Sequence, residues 1–166
     1  MPRLMVMRHA KSDWGAAGVS DHDRPLAARG VAAAQRMGRF LTAVGVGPDR
    51  VLSSPAVRAR ATVELAAEAG GWSAPIEIVE RFYGGDWRDV VEGIAVSASG
   101  ASKLLVAGHE PTWSDLVSML TGGGGVRMPT GAVACVDLGE CGWSDIGPGI
   151  GELRWLVTPR LLKPLL

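Results

Sequence analysis

Leu4-Met5-Val6-Met7-Arg8-His9 is the stretch on which the reading of this chain turns. Its four consecutive apolar residues predict a short strand over residues 3–7, buried on both faces as in a parallel sheet. The run ends on a cation and an imidazole. Arg8 and His9 therefore fall where a buried strand opens into a loop, and open α/β sheets bind ligands outside the carboxyl ends of their strands. Arg58 and His109 each recur just after another short apolar run. Two of only three histidines thus stand at expected strand ends.

Working outward, the pattern alternates. A polar loop, Lys11 to Arg24, leads into helical periodicity from Leu26 to Val44, with Asp23 and Pro25 as start signals and Gly45 as a stop. Arg50 to Ser53 predicts a second strand. Ser53 or Ser54 can cap a helix opening at Pro55 and running to Gly70-Gly71. A third strand is expected at Ile76 to Val79, a helix from Trp87 to about Val96, and a fourth strand at Lys103 to Ala107. Gly108 to Pro111 predicts a tight turn before a helix at Thr112 to Leu120. Two more strands, Ala132 to Leu138 and Leu153 to Val157, flank a glycine-rich stretch. Gly122 to Gly125 lacks the spacing and the Lys-Ser/Thr pair of a phosphate loop, and predicts a linker. The expected fold is a three-layer α/β/α sandwich with a mostly parallel central sheet, in a single domain over residues 1–166.

The 166 residues, 47% hydrophobic and 20% charged, have globular composition. With 17 basic and 17 acidic residues, no global field recruits nucleic acid or an anionic membrane, so anion binding must be local. Cys135 and Cys141 make no disulfide framework and have no neighbouring histidine for a zinc site; reduced thiols are expected. The apolar stretch before Arg8 is too short for a signal-peptide core or a membrane span, which points to a cytoplasmic protein.

The chemistry these residue types share is phosphoryl transfer. Its catalysis consists mainly of positioning and charge stabilisation. Arginine meets phosphate through two parallel hydrogen bonds and stays charged, while neutral imidazole is a nucleophile with a pKa near working pH. Arg8 would be a clamp and His9 an attacking group. Arg58, one turn into its helix, faces the strand ends, whereas Arg60 points elsewhere. Lys11 and Ser12 are expected as rim contacts to substrate, Trp14 as part of the rim, His22 as an exposed or capping residue, and Trp113 as packing between helix and sheet.

Leu4-Met5-Val6-Met7-Arg8-His9-Ala10-Lys11-Ser12 resembles the signature of the histidine phosphatases, the phosphoglycerate mutase-like superfamily. Within it the short SixA-like phosphohistidine phosphatases are most similar. Asp23-Arg24-Pro25-Leu26 with Gly30, the segment Val51 to Thr62 carrying Arg58, and Gly108-His109-Glu110-Pro111 resemble further elements in the right order. The resemblance implies that His9 becomes phosphorylated, that Arg8, Arg58 and His109 hold the phosphoryl oxygens, and that water completes the cycle without metal or other cofactor. Ala10 stands where the signature usually has glycine; a small residue still lets the backbone approach a phosphate.

Members acting on alkyl phosphates use a carboxylic acid to protonate the leaving group, and Glu80 is the positional candidate, with Glu110 and Asp86 behind it. An imidazole leaving group accepts a proton near pH ~6.5, so a phosphohistidine substrate makes a strong acid less necessary. The expected activity is dephosphorylation of phosphohistidine on a partner, such as a histidine-containing phosphotransfer protein. The alternatives are a small-metabolite phosphomonoesterase, or a non-catalytic phosphate- or phosphoprotein-binding module. No nucleic-acid or membrane partner is expected.

Overall fold

In the computed structural model, which describes residues 1–166, the opening apolar run forms β1 (Arg3–Arg8). There follow α1 (Ala28–Ala43), β2 (Arg50–Ser53), α2 (Val57–Gly70), β3 (Ile76–Ile78), α3 (Trp87–Ser97) and β4 (Lys103–Gly108). The chain closes with α4 (Thr112–Leu120), β5 (Val133–Asp137), β6 (Glu152–Val157) and α5 (Pro159–Leu162). All six strands share one sheet in the order β3-β2-β4-β1-β5-β6. The pairings among β1 to β4 are parallel, and β5 runs antiparallel to both β1 and β6.

Alternation along β1 builds the three layers. Leu4 and Val6 join Leu104 and Val106 in a core completed by Val90 and Ile94 of α3 and Trp113 and Leu116 of α4. Met5 and Met7 join Leu105 and Ala107 in a second core, under Met37 and Leu41 of α1, Val63 of α2 and Leu162 of α5. Successive side chains of a strand point to opposite faces, so a strand with a helix layer on each side must be apolar throughout. Burying each such side chain contributes about 1.5–3 kcal/mol, which ties the central strand to both layers.

Register carries that packing to the site. Arg8 lies opposite Gly108, and Ser53 lies opposite Ala107. The ladder runs one step further, His9 N–H donating to the Gly108 carbonyl and Ser54 N–H to that of Ala107, both at 3.0 Å. Three separated segments therefore leave the sheet side by side. They bring His9, His109 and the turn before Arg58 to one edge.

The expected boundaries need correction in three places. Helix α1 opens at Ala28 and not at Leu26, because Leu26 pairs with Ser12 in an isolated antiparallel bridge. Asp23 and Pro25 stay in the loop, and Ala27, with no side-chain cap, precedes the helix. Helix α2 opens at Val57 and not at Pro55. Its first amide is met by the His22 carbonyl at 3.0 Å, and Ser54 turns its hydroxyl to His109 at 2.7 Å while accepting only a 3.3 Å bond from Ala56 N–H. The short α5, unforeseen in the sequence, seals the second core through Leu162.

Two glycines hold the loop after β1 close. A Cβ on Gly30 would stand 2.1 Å from the Lys11 carbonyl oxygen, which lies over the first turn of α1. Gly131, at φ +74°, donates its N–H to the His9 carbonyl at 2.9 Å. Ala10 needs no such freedom: no non-glycine residue has positive φ, so alanine at the signature's glycine position is unstrained. Both cysteines are free thiols, and no helix is long and apolar enough to cross a membrane.

Candidate active site

His9 and His109 face one another across a cavity of about 310 Å³, their ring centroids 5.1 Å apart. Arg8, Arg24, Arg58, Lys11 and Ser12 complete most of its wall. His9 is buried, and its Nδ1 lies 2.7 Å from the Ala10 carbonyl oxygen. A carbonyl can only accept, so Nδ1 carries the proton and Nε2 keeps its lone pair. The Ala10 amide is in turn fixed by Thr62 Oγ1 at 2.9 Å, which ties the His9 loop to α2.

The tautomer of His109 is defined in the same way. Arg58 Nη2 donates to its Nδ1 at 3.3 Å, so Nε2 holds the proton and donates it to Ser54 Oγ at 2.7 Å. Burial is the main cause that lowers the pKa of both rings, to about 4 for His9 and about 3 for His109. For His9 the Ala10 carbonyl opposes this, while Arg58, Arg8 and Arg24 reinforce it. For His109 the proximity of His9 and then of Arg58 adds to the effect. At neutral pH both rings are uncharged, the state in which imidazole nitrogen can attack.

The arginines are presented as donors with capacity left over. Arg8 gives Nη1–H to the Met128 carbonyl at 3.0 Å, and Arg58 gives its terminal nitrogens to the backbone and carboxylate of Asp21. The Nε–H of each is buried and meets no protein acceptor. An unsatisfied buried donor costs about 1–3 kcal/mol, and an oxyanion in the cavity is its chemically matched partner.

Asp21, Arg24 and Tyr83 escaped the sequence reading. Asp21 accepts from the Tyr83 hydroxyl at 2.8 Å, from Arg24 Nη2 at 2.9 Å and from Arg58 Nη2 at 3.2 Å. The Tyr83 bond, then Arg24 and Arg58, hold its carboxyl far below the usual carboxylate range. It is a fixed anion that aims two guanidinium groups. Arg24 is buried, donates to Ser12 Oγ, and lies 3.6 Å above the centre of the Trp14 ring. No periodicity marks a loop aspartate; Arg24 is three residues away, but Arg58 and Tyr83 meet it only in the folded chain.

Of the other sequence-derived residues, Lys11 and Ser12 line the cavity and Trp14 forms an exposed rim. Trp113 is fully buried, and Arg60 points outward to Glu64. His22 is half-buried beside Asp23 at 2.9 Å and edge-on to Tyr83. Glu80 is exposed on the turn Glu80–Phe82 and does not line the cavity. Glu110 does, but both its oxygens accept from Ser114, as an anchor of the His109 turn on α4. Asp86 caps α3.

Acid sensitivity follows from the two histidines. Their folded pKa values lie below the ordinary 6.5, so the unfolded chain takes up protons first as pH falls. Their contribution to stability is complete above about 6.5 and is lost progressively toward about 4 for His9 and 3 for His109. Ring titration by NMR is expected to give a His9 midpoint near 4. A midpoint near 6.5 would mean that burial does not depress this ring.

Sheet order, strand-end histidines and arginine-lined cavity together define a phosphoglycerate mutase-like α/β protein. The model of the histidine phosphatase superfamily (branch 1) matches residues 4–115, and the chain belongs to that superfamily. Among its relatives is phosphohistidine phosphatase SixA of Escherichia coli strain K12, 30% identical over 164 residues covering 97% of this chain and 96% of that one. An uncharacterized protein of Mycobacterium tuberculosis strain H37Rv is 37% identical over 164 residues, 93% of this chain and all of the relative. A structure of the protein histidine phosphatase SixA complexed with tungstate superposes with a TM-score of 0.82 at 29% identity, covering 96% of this chain and 99% of that one.

Proposed function

We propose that the protein is a phosphatase that works through a phosphohistidine on His9, and that its substrate is a phosphohistidine borne by a partner protein. The observation that carries this reading is the His9 tautomer. Its Nδ1–H is committed to Ala10, which leaves the Nε2 lone pair in a cavity walled by guanidinium groups.

In the first step Nε2 bonds to phosphorus while the bond from phosphorus to the substrate's imidazole nitrogen breaks. If the substrate ring is already protonated on its other nitrogen, it departs as neutral imidazole, and His9 becomes a phosphorylated imidazolium. One ring replaces the other with no net proton transfer, so no strong acid is required. In the second step water bonds to phosphorus, Nε2 leaves, and dihydrogen phosphate carries away both protons. Arg8 and Arg58 face the equatorial oxygens, where the charge of the transition state is spread. Arg24 adds a third cation on the wall, and a bound dianion that draws Arg58 Nη2 off His109 Nδ1 lets that nitrogen take a proton and donate.

Several features support the finer points. Three arginines on the cavity wall can supply the charge stabilisation that phosphoryl transfer needs. Tungstate, held by a SixA, is a tetrahedral oxyanion like phosphate. The exposed position of Glu80 suits a reaction that needs no leaving-group acid.

The test is discharge of a phosphohistidine peptide, followed by release of inorganic phosphate. The wild-type protein is expected to clear it, and Glu80→Gln to do so within about threefold, since general acid catalysis would be worth 10²–10⁴. Turnover of alkyl phosphates at the same efficiency, with collapse in Glu80→Gln, would transfer the assignment to a small-metabolite phosphomonoesterase.

A further inference from the structure

The cavity opens onto a second, larger groove of about 620 Å³, and Lys11 and Thr130 belong to the walls of both. Five cations line this groove: Lys11, Arg29, Arg36, Arg160 and Lys163, with no Asp or Glu among its lining residues. The chain as a whole carries equal numbers of basic and acidic residues, so this is a local concentration of one sign. None of the five is in an ion pair with Asp or Glu; Arg36 alone has a partner, the Leu166 main-chain oxygen, at 3.0 Å.

Their placement works against stability. Arg29 occupies the first turn of α1, the positive end of the helix dipole, where no acidic residue compensates it. Arg36 stands two turns further along the same face, about 10 Å away. Arg160 and Lys163 approach from α5 and its end. Like charges gathered from three segments repel one another, and no Asp or Glu pairs with any of them.

We propose that this groove docks the acidic surface of the protein that presents the phosphoryl group to His9. The cations are spread over a span wider than one phosphate, and Arg29, Arg160 and Lys163 are exposed side chains. That arrangement suits several carboxylates on a folded surface better than a single enclosed anion. Docking there would place the partner across the mouth of the cavity through Lys11. The inference rests on the phosphohistidine reading above for its substrate, but the groove can be tested apart from it.

Two synthetic peptides serve as probes: a phosphohistidine followed by an Asp/Glu-rich flank, and the same peptide with a Ser/Gln flank. The wild-type protein is expected to prefer the acidic flank by at least about tenfold in kcat/KM at about 50 mM salt, and to lose that preference at about 0.5 M. Arg29→Glu/Arg36→Glu/Arg160→Glu is expected to abolish the preference while leaving turnover of a small aryl phosphate unchanged. In parallel, anisotropy of the unphosphorylated acidic peptide reports docking without chemistry. Binding that the triple variant loses, with no discharge of either peptide, would uphold the groove and defeat the phosphohistidine reading. Equal turnover of both peptides by the wild type would do the reverse. Tighter binding of a short oligothymidylate than of the acidic peptide would overturn the assignment to a protein partner.

Discussion

Replacing His9 with alanine is expected to lower turnover by at least about four orders of magnitude, the scale on which losing a nucleophile acts. Acid-labile phosphate trapped on the wild-type protein during turnover should be absent from the variant. Folding should survive. The substitution removes one buried hydrogen bond, from Nδ1 to the Ala10 carbonyl, for a cost of about 0.5–1.5 kcal/mol. In a chain of this length that is a few degrees in Tm, at roughly 2–4 °C per kcal/mol. Arg8, Arg24 and Arg58 remain, so inorganic phosphate or tungstate should still raise the melting temperature of the variant. Loss of His9 also removes one group that takes up protons on unfolding, and the acid limb of stability should flatten between about pH 6.5 and 4. Substantial turnover by His9→Ala would sink the mechanism, and so would a trapped phosphoryl group on any other residue.

Arg58→Ala is expected to cost about 10²–10³ in kcat/KM, as for removal of one donor from a preorganised oxyanion site. Arg58 donates to Asp21 and to His109 Nδ1, and lines the cavity. Its charge also helps to keep both histidines neutral. The variant should therefore show His9 and His109 titrating at higher pH than in the wild type, a readout that simple loss of structure would not give. Asp21 keeps Arg24 and Tyr83 as partners, so it is not left as an orphaned anion. Arg58→Lys should rescue little, because a single ammonium cannot reach Asp21, His109 and a phosphoryl oxygen together. Recovery to within about fivefold by lysine would mean that a point charge suffices there.

Local signals in the chain were sufficient for the elements that carry the site. The four-residue run before Arg8 reads as a strand covered on both faces and forms one, and Thr112–Leu120 has the bounds expected from the sequence. The helix starts were less legible. Ser54 has the chemistry of a cap, but a stronger partner, His109, claims its hydroxyl across 55 residues of sequence. Asp23 and Pro25 look like a helix start, but the bridge between Ser12 and Leu26 holds that segment extended.

The sequence by itself determined the alternation of strands and helices and the strand ends on which Arg8, His9 and His109 stand, residue types suited to phosphoryl chemistry. Periodicity and side-chain chemistry are local properties, readable one segment at a time. Only the tertiary structure decided which nitrogen of His9 is free, because the tautomer depends on the Ala10 carbonyl lying 2.7 Å from Nδ1. It also decided that Asp21 aims Arg24 and Arg58, and that Glu80 stands outside the cavity while Glu110 lines it. Likewise it drew cations from α1, α5 and the Lys11 loop into one groove. The Arg58–Asp21 bond and the shared groove join segments far apart in sequence, and even the contact between neighbours His9 and Ala10 sits in a loop that Thr62 of α2 fixes. Strand register and helix packing set such contacts, and no single stretch of the chain encodes them.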